Sequence, residues 1–247
     1  MKNVTLLYIL FILFFSTGST FSQIYVKLGA GYNVDFNSVT IGTNTIISNS
    51  GVYNYEAVVG TFGKGVSISG ALGYNFSSYL AGELDLIYKL PVEFEETLQA
   101  ISSYTAKNTI TGSFFGFAPS FVINVPLDNV KPFMKLGLLV ALSATEYEIS
   151  DNEGNNAKGV FKGGVDFGLT GAAGILIPIS DQISINAEID FVSFNWKPDE
   201  VEVTGPDGNT KVIKLEDKWT SDDENSSGPR FIPFSNLGLS AGIQLGF

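Results

Sequence analysis

The chain of 247 residues contains no cysteine and no histidine. Without cysteine there is no disulfide framework, no thiol nucleophile and no Cys-based metal site. Without histidine there is no imidazole acid–base chemistry, no Ser-His-Asp triad and no His-ligated zinc or iron. Charge is also scarce: 16% of residues are Asp, Glu, Lys or Arg, against about 25% in a typical soluble protein. The balance is acidic, −11 with a pI near 4.4, which argues against nucleic acid as a partner. Beyond the first two dozen residues no apolar run approaches the ~20 residues of a spanning helix, so a helical membrane protein is excluded.

What is present is glycine (27 residues), aromatics (13%) and a mildly apolar mean hydropathy of +0.21. Glycine with aromatic and β-branched residues suits strands and turns. Residues 1–22 carry Lys2, then an apolar core from Val4 to Phe15, then Thr20 and Ser22 at the −3 and −1 positions of a small-x-small cleavage site. This pattern predicts a secretory signal peptide, with a mature chain of residues 23–247.

The mature chain repeats one rhythm. In "NLGLSAGIQLGF" at residues 236–247, Leu237, Leu239, Ala241, Ile243, Leu245 and Phe247 alternate with small or polar residues. The same period of two recurs over residues 24–36, 66–76, 79–88, 109–125, 133–144, 165–177 and 183–191. Period two over such lengths means strands with two unlike faces, and there are eight. The connections alternate between tight (77–78, 126–131, 180–182) and long (37–65, 91–108, 149–163, 197–233). That alternation predicts an antiparallel up-and-down barrel with its short turns and both chain ends at one rim. Within the last long loop, "VEVTGPDGNTKVIKL" alternates on either side of Pro206-Asp207-Gly208, which predicts a projecting hairpin.

The two faces decide the solvent. One is bulky and apolar, built of Leu, Ile, Val, Phe, Met and Tyr; the other is mostly Gly, Ser, Ala, Asn and Thr. An eight-stranded barrel has an interior just wide enough for side chains, so small residues suit the inside and large apolar ones suit lipid. Each strand is long enough to cross a bilayer. The expected fold is therefore an all-β, eight-stranded transmembrane barrel. Phe36, Tyr74, Phe76, Tyr88, Phe121, Phe191 and Phe247, near strand ends on the outward face, match interfacial aromatic girdles.

Three segments, "GYNFSSYLAGELDLIY" (residues 73–88), "PISDQISINAEIDF" (178–191) and the terminal "LGLSAGIQLGF", resemble the OmpA-like and OmpX-like outer-membrane barrels. The chain is most similar to the Bacteroidota branch described as outer membrane protein beta-barrel domain or PorT-like. The resemblance implies an outer-membrane location, with both termini periplasmic and the long loops extracellular. It also implies that Phe247 forms part of the signal read by the outer-membrane insertion machinery. Unlike full-length OmpA, the sequence ends at the barrel and carries no peptidoglycan-binding domain, so a cell-wall tether is not implied.

Charges on the inward face are the candidate site. Lys27, Glu83, Asp85, Lys135, Asp166, Glu188 and Asp190 all have inward parity, and inside so narrow a barrel they are expected to pair, because an unpaired buried charge is costly. The bland reading is a salt-bridge plug; the sharper one is an acid-lined pore or proton path. No nucleophile is supported, no cofactor or metal is expected, and the protein is read as non-enzymatic. Acid clusters in the long loops (Glu93, Glu95, Glu96; Asp151, Glu153; Asp199, Glu200, Glu202; Glu216, Asp217; Asp222, Asp223, Glu224) are expected to be solvated surface. Weak divalent bridging to lipopolysaccharide phosphates is the alternative. The functions weighed are a structural or surface-binding barrel, an accessory subunit of an outer-membrane secretion or assembly complex, and a narrow porin-like channel.

Overall fold

The computed structural model describes residues 23–48, 53–100, 104–215 and 231–247. The expected signal peptide and the acidic residues Glu216, Asp217, Asp222, Asp223 and Glu224 lie outside the described residues. In chain order the strands are β1 (Ile24–Asp35), β2 (Val39–Ile47), β3 (Tyr53–Gly60), β4 (Gly65–Asn75), β5 (Leu80–Gln99), β6 (Thr105–Asn124), β7 (Lys131–Asp151) and β8 (Asn156–Lys162). They continue with β9 (Asp166–Pro178), β10 (Ile183–Ser193), β11 (Asn195–Trp196), β12 (Glu200–Thr204), β13 (Thr210–Lys214), β14 (Ile232–Pro233) and β15 (Asn236–Gly246).

Eight of these close a barrel in the order β1-β4-β5-β6-β7-β9-β10-β15, every neighbour antiparallel, with β15 pairing back onto β1. Closure leaves no edge within the apolar band, where an unpaired backbone group has no water to bond. The register defines the barrel's shape. Starting at Tyr25 and stepping across partners through Gly73, Glu83, Ser120, Gly137, Thr170, Val192 and Asn236, the path returns to β1 at Asp35, ten residues further along. With standard strand spacings that stagger gives a tilt of about 40° and a radius of about 8 Å. Side chains from opposite walls therefore meet at the axis.

The alternation read from sequence sorts residues as expected for lipid outside and polar groups inside. Leu28 (64%), Phe121 (74%), Met134 (67%), Phe167 (77%) and Leu239 (68%) are exposed on the outer wall, whereas Lys27 (7%), Glu83 (4%) and Asp85 (5%) are buried within. The tight turns use serine hydroxyls. Ser77 Oγ accepts from the N–H of Tyr79 and Leu80, and Ser180 Oγ accepts from the N–H of Ile183, local bonds that take the place of a ladder at a reversal.

The long connections differ from the sequence reading. Residues 91–108 are not a loop: β5 and β6 continue as a paired ladder up to Gln99↔Thr105, leaving a short tip. β7 likewise runs 21 residues. At 40° tilt, 20 residues rise about 50 Å, twice the ~25 Å apolar band of a membrane barrel. The extended parts recruit further strands. On one side β8 pairs β7, then β12 and β13 follow; on the other β2 joins β5 in parallel and carries β3. The result is an open sheet rising from one side of the barrel. The expected hairpin is β12–β13, turning at Pro206-Asp207-Gly208, where Gly208 takes a φ of 77°, a left-handed conformation that suits glycine.

Candidate functional site

The lumen carries an ion cluster close to the rim of short turns. β1 supplies Lys27, β5 supplies Glu83 and Asp85, and β7 supplies Lys135, all at inward parity and similar height. Lys27 pairs with Glu83. Lys135 bridges the two carboxylates, 3.3 Å from Glu83 Oε2 and 2.7 Å from Asp85 Oδ1. Tyr25 donates its hydroxyl to Glu83 Oε1 at 2.7 Å, and Ser120 donates to Asp85 Oδ2 at 2.6 Å. Lys27 also lies 4.8 Å above the ring of Phe133. Each of the four buried charges thus has a partner of opposite charge, and Glu83 Oε2, without a hydrogen bond, is held by the Lys135 ion pair alone, the pairing under which buried charges are tolerated. Tyr25 reaches the cluster because Gly73 on the neighbouring strand has no side chain: a Cβ there would stand 2.1 Å from the tyrosine ring.

Glu188 and Asp190 on β10 share the lumen and converge on Ser240 of β15, whose hydroxyl lies 3.3 Å from Glu188 Oε1 and 2.7 Å from Asp190 Oδ2. Asp166 does not join. It has the expected parity but pairs across to Ala141, whereas Lys135 pairs to Ala172. Six residues of β9 therefore separate it from the cluster, about 20 Å along the strand. Its carboxylate instead accepts from the backbone N–H of Lys197 at the mouth. Parity placed Asp166 on the correct face; height along the barrel is set by the stagger, which parity does not encode. Two interior polar groups were missed. Tyr25 and Lys89 both fall on the inward parity, but the alternation of β5 was followed only to Tyr88. Lys89 is 1% exposed and donates to the Gly65 carbonyl at 2.7 Å.

Two cavities flank the cluster within the lumen. A vestibule of about 330 Å³ opens toward the short turns, lined by Gln23, Tyr25, Asn124 and Gln244. Above lies a cavity of about 50 Å³ between Lys89, Asp190, Asn236 and Phe114. Lys27 borders both.

That upper cavity is roofed by an aromatic cap. Phe114 of β6 meets Phe194 edge-on at 5.0 Å and Phe234 at 5.6 Å; Phe194 and Phe234 stack at 5.3 Å; Phe62 meets Phe94 at 5.0 Å and Phe234 at 5.8 Å. Trp196 is fully buried among them and donates its indole N–H to the Gly163 carbonyl at 3.0 Å. Three chain segments are laced together here. The Phe62 N–H and the Thr61 hydroxyl both donate to the Pro233 carbonyl, at 2.9 and 3.0 Å, and the Phe234 N–H donates to Phe194. The cap was not legible in the sequence because Phe62, Phe194, Trp196 and Phe234 sit in short connecting segments with no common period, while Phe94 and Phe114 lie on β5 and β6. The open sheet lays its inner face, including Ile110 and Phe161, on the same cluster.

The outer face of the sheet is charged. Lys107 pairs with Glu95 at 2.6 Å, Lys158 with Glu146 at 2.8 Å and Glu148 at 3.2 Å, and Lys162 with Glu202. Bonds from Glu146 and Glu148 raise the Lys158 ammonium above its ordinary range. These are cross-strand pairs in solvent and add little stability. Asp151 closes the β7–β8 turn, accepting from the N–H of Asn155 and Glu153 and from the Asn155 amide. Asp151, one of the loop carboxylates, thus folds its own turn.

A closed barrel with apolar walls outside, a paired charge cluster inside and an open sheet at one end defines a transmembrane β-barrel. A family profile described as outer membrane protein beta-barrel domain matches residues 6–229, and the chain belongs to that family. Among solved structures it is similar to Neisserial surface protein A (12% identity, TM-score 0.43, covering 91% of this chain and 97% of that one). It is also similar to OprG from Pseudomonas aeruginosa (10%, 0.43, 93% and 99%) and to the outer membrane protease OmpT from Escherichia coli (9%, 0.48, 95% and 100%). No curated protein matches the chain.

Proposed function

We propose that this protein is a non-conducting, non-enzymatic outer-membrane barrel that presents its open sheet as a binding surface outside the cell. The observation that carries the reading is the double seal: the ion cluster of Lys27, Glu83, Asp85 and Lys135 fills the lumen, and the aromatic cap covers the mouth above it. A lumen so filled has no continuous aqueous path. Its carboxylates are bound to lysines and hydroxyls beneath the cap, away from any substrate, and the chain has no histidine or cysteine to activate a nucleophile.

In this reading the signal peptide directs export, and Phe247 at the short-turn rim serves the insertion machinery. The termini are periplasmic, and the acidic sheet stands above the lipopolysaccharide, where divalent cations can bridge its carboxylates to lipid phosphates. The protein in planar bilayers gives no discrete conductance steps; steps at neutral pH overturn the sealed reading in favour of a narrow channel. A second reading, an accessory subunit of a secretion or assembly complex, draws on the length of β5, β6 and β7, which carries a docking surface far beyond the apolar band. Native co-purification separates the two: a stoichiometric companion protein favours the subunit.

A further inference from the structure

The outer wall is not evenly filled. A groove of about 750 Å³, within the range of small-molecule sites, runs down the lipid-facing side of β4, β5, β6 and β7. Its walls are Leu72, Leu84, Phe121, Leu136 and Leu138. Two residues make the hollow. Gly82 points outward on β5 and supplies no side chain, and the ring of Phe76 lies beside the empty position, 3.2 Å from where a Cβ would stand. Pro119 on β6 has no N–H to donate, and the β6–β7 ladder is interrupted there, between Phe117↔Val140 and Ser120↔Gly137. A proline is unusual in a strand paired on both sides, because it forfeits a ladder bond.

We propose that this groove holds one acyl chain of a phospholipid from the leaflet at the short-turn end. The chemistry of the surroundings selects the occupant. The groove's walls are apolar, and the carboxylate of Glu83 beneath it points inward to Lys27. It runs from Ile24 and Phe76 at the short-turn rim to Leu138 and Leu169 near mid-wall, about 15–20 Å by the strand geometry, the depth of about one leaflet of a ~30 Å core. At its lower end Tyr74 and Phe76 form an edge-to-face pair at 5.4 Å, with the Tyr74 hydroxyl bonded to Gln23. That is an aromatic rim at headgroup level. A second copy of the barrel is a poorer fit, because two convex walls meet on their crests and leave the floor of a slot unfilled.

The test uses the refolded full-length protein in phosphatidylethanolamine vesicles containing a trace of phospholipid with a diazirine near the middle of one acyl chain. Photolysis is expected to label Phe121, Leu136 and Leu138 at least about tenfold more than Ile185 and Ile243, outward residues of β10 and β15, which do not line the groove. Gly82→Leu, which fills the groove, is expected to abolish that preference. Gly70→Leu, a substitution at another outward glycine, is expected to leave it intact. Native mass spectrometry in mild detergent should find one phospholipid retained by the wild type and by Gly70→Leu, and none by Gly82→Leu. Both variants must first show the heat-dependent gel mobility of a folded barrel; if Gly82→Leu does not fold, the labelling pattern of the wild type alone decides. Uniform labelling around the barrel, or unchanged retention in folded Gly82→Leu, overturns the proposal, as does protein–protein cross-linking at Leu136 in place of lipid.

Discussion

Replacing Lys135 with methionine removes the cation that bridges two buried carboxylates. At 2.7 Å from Asp85 and 3.3 Å from Glu83, each attraction is gross about 5–6 kcal/mol at an effective dielectric of 20. Desolvating the ammonium offsets several kcal/mol of this. The consequence is not symmetric between the partners. Glu83 keeps Lys27 and the Tyr25 hydroxyl, whereas Asp85 keeps only the Ser120 hydroxyl among the contacts described. Leaving Asp85 as a buried carboxylate without a cation is expected to cost about 3–5 kcal/mol. Guanidinium unfolding of the barrel in phospholipid vesicles, followed by the mobility of unheated samples on a denaturing gel, measures it. The double variant Lys135→Met, Asp85→Leu removes both charges and is expected to recover most of the loss, to within about 1–2 kcal/mol of the wild type. A single variant that costs under about 1 kcal/mol, or a double variant no more stable than the single, refutes the pairing argument.

Three further outcomes follow from other parts of the molecule. Pro119→Val restores a donor to the β6–β7 ladder and is expected to raise stability by about 1 kcal/mol in the same assay; a loss means that the strands are held apart by more than the missing N–H. Phe234→Ala empties the centre of the cap and is expected to cost about 3–5 kcal/mol. Planar-bilayer recordings of that variant should still be silent, because the ion cluster below remains. Asp151 is held below the ordinary aspartate range, first by the Asn155 side chain and then by the Asn155 N–H. Because its folded pKa is depressed, its contribution is present at neutral pH and is lost as pH falls below about 4. A pH titration of the Asp151 carboxyl by NMR should show the low midpoint, and Asn155→Ala should move it up.

The strand rhythm was enough to establish the eight barrel strands, which face each residue takes, and the hairpin at Pro206-Asp207-Gly208. The reason is physical: a period of two written in bulky apolar and small residues has only one stable disposition when a barrel interior is some 8 Å in radius. The same rhythm yielded Lys27, Glu83, Asp85 and Lys135 as interior residues, because parity alone assigns the face. It did not reveal which of them touch. Contact depends on the ten-residue stagger around the barrel, a closure property that no single strand contains, and it brings Lys135 to Glu83 and Asp85 while carrying Asp166 to the mouth.

Nor did it reveal the continuation of β5, β6 and β7. Outside the apolar band, polar strands such as "VEFEETLQ" lose the contrast between faces on which the period rests, so a strand and a loop look alike. The aromatic cap is further still from sequence. Phe62, Phe194, Trp196 and Phe234 come from three connecting segments and Phe114 from the inward face of β6, and only the closed barrel gathers them over one mouth. The sequence by itself determined that this chain is a lipid-facing barrel with charges inside. Tertiary structure alone decided that the charges are paired, that an aromatic cluster gathers at the mouth, and that an open sheet stands beyond it, because each of these follows from stagger and closure rather than from local pattern.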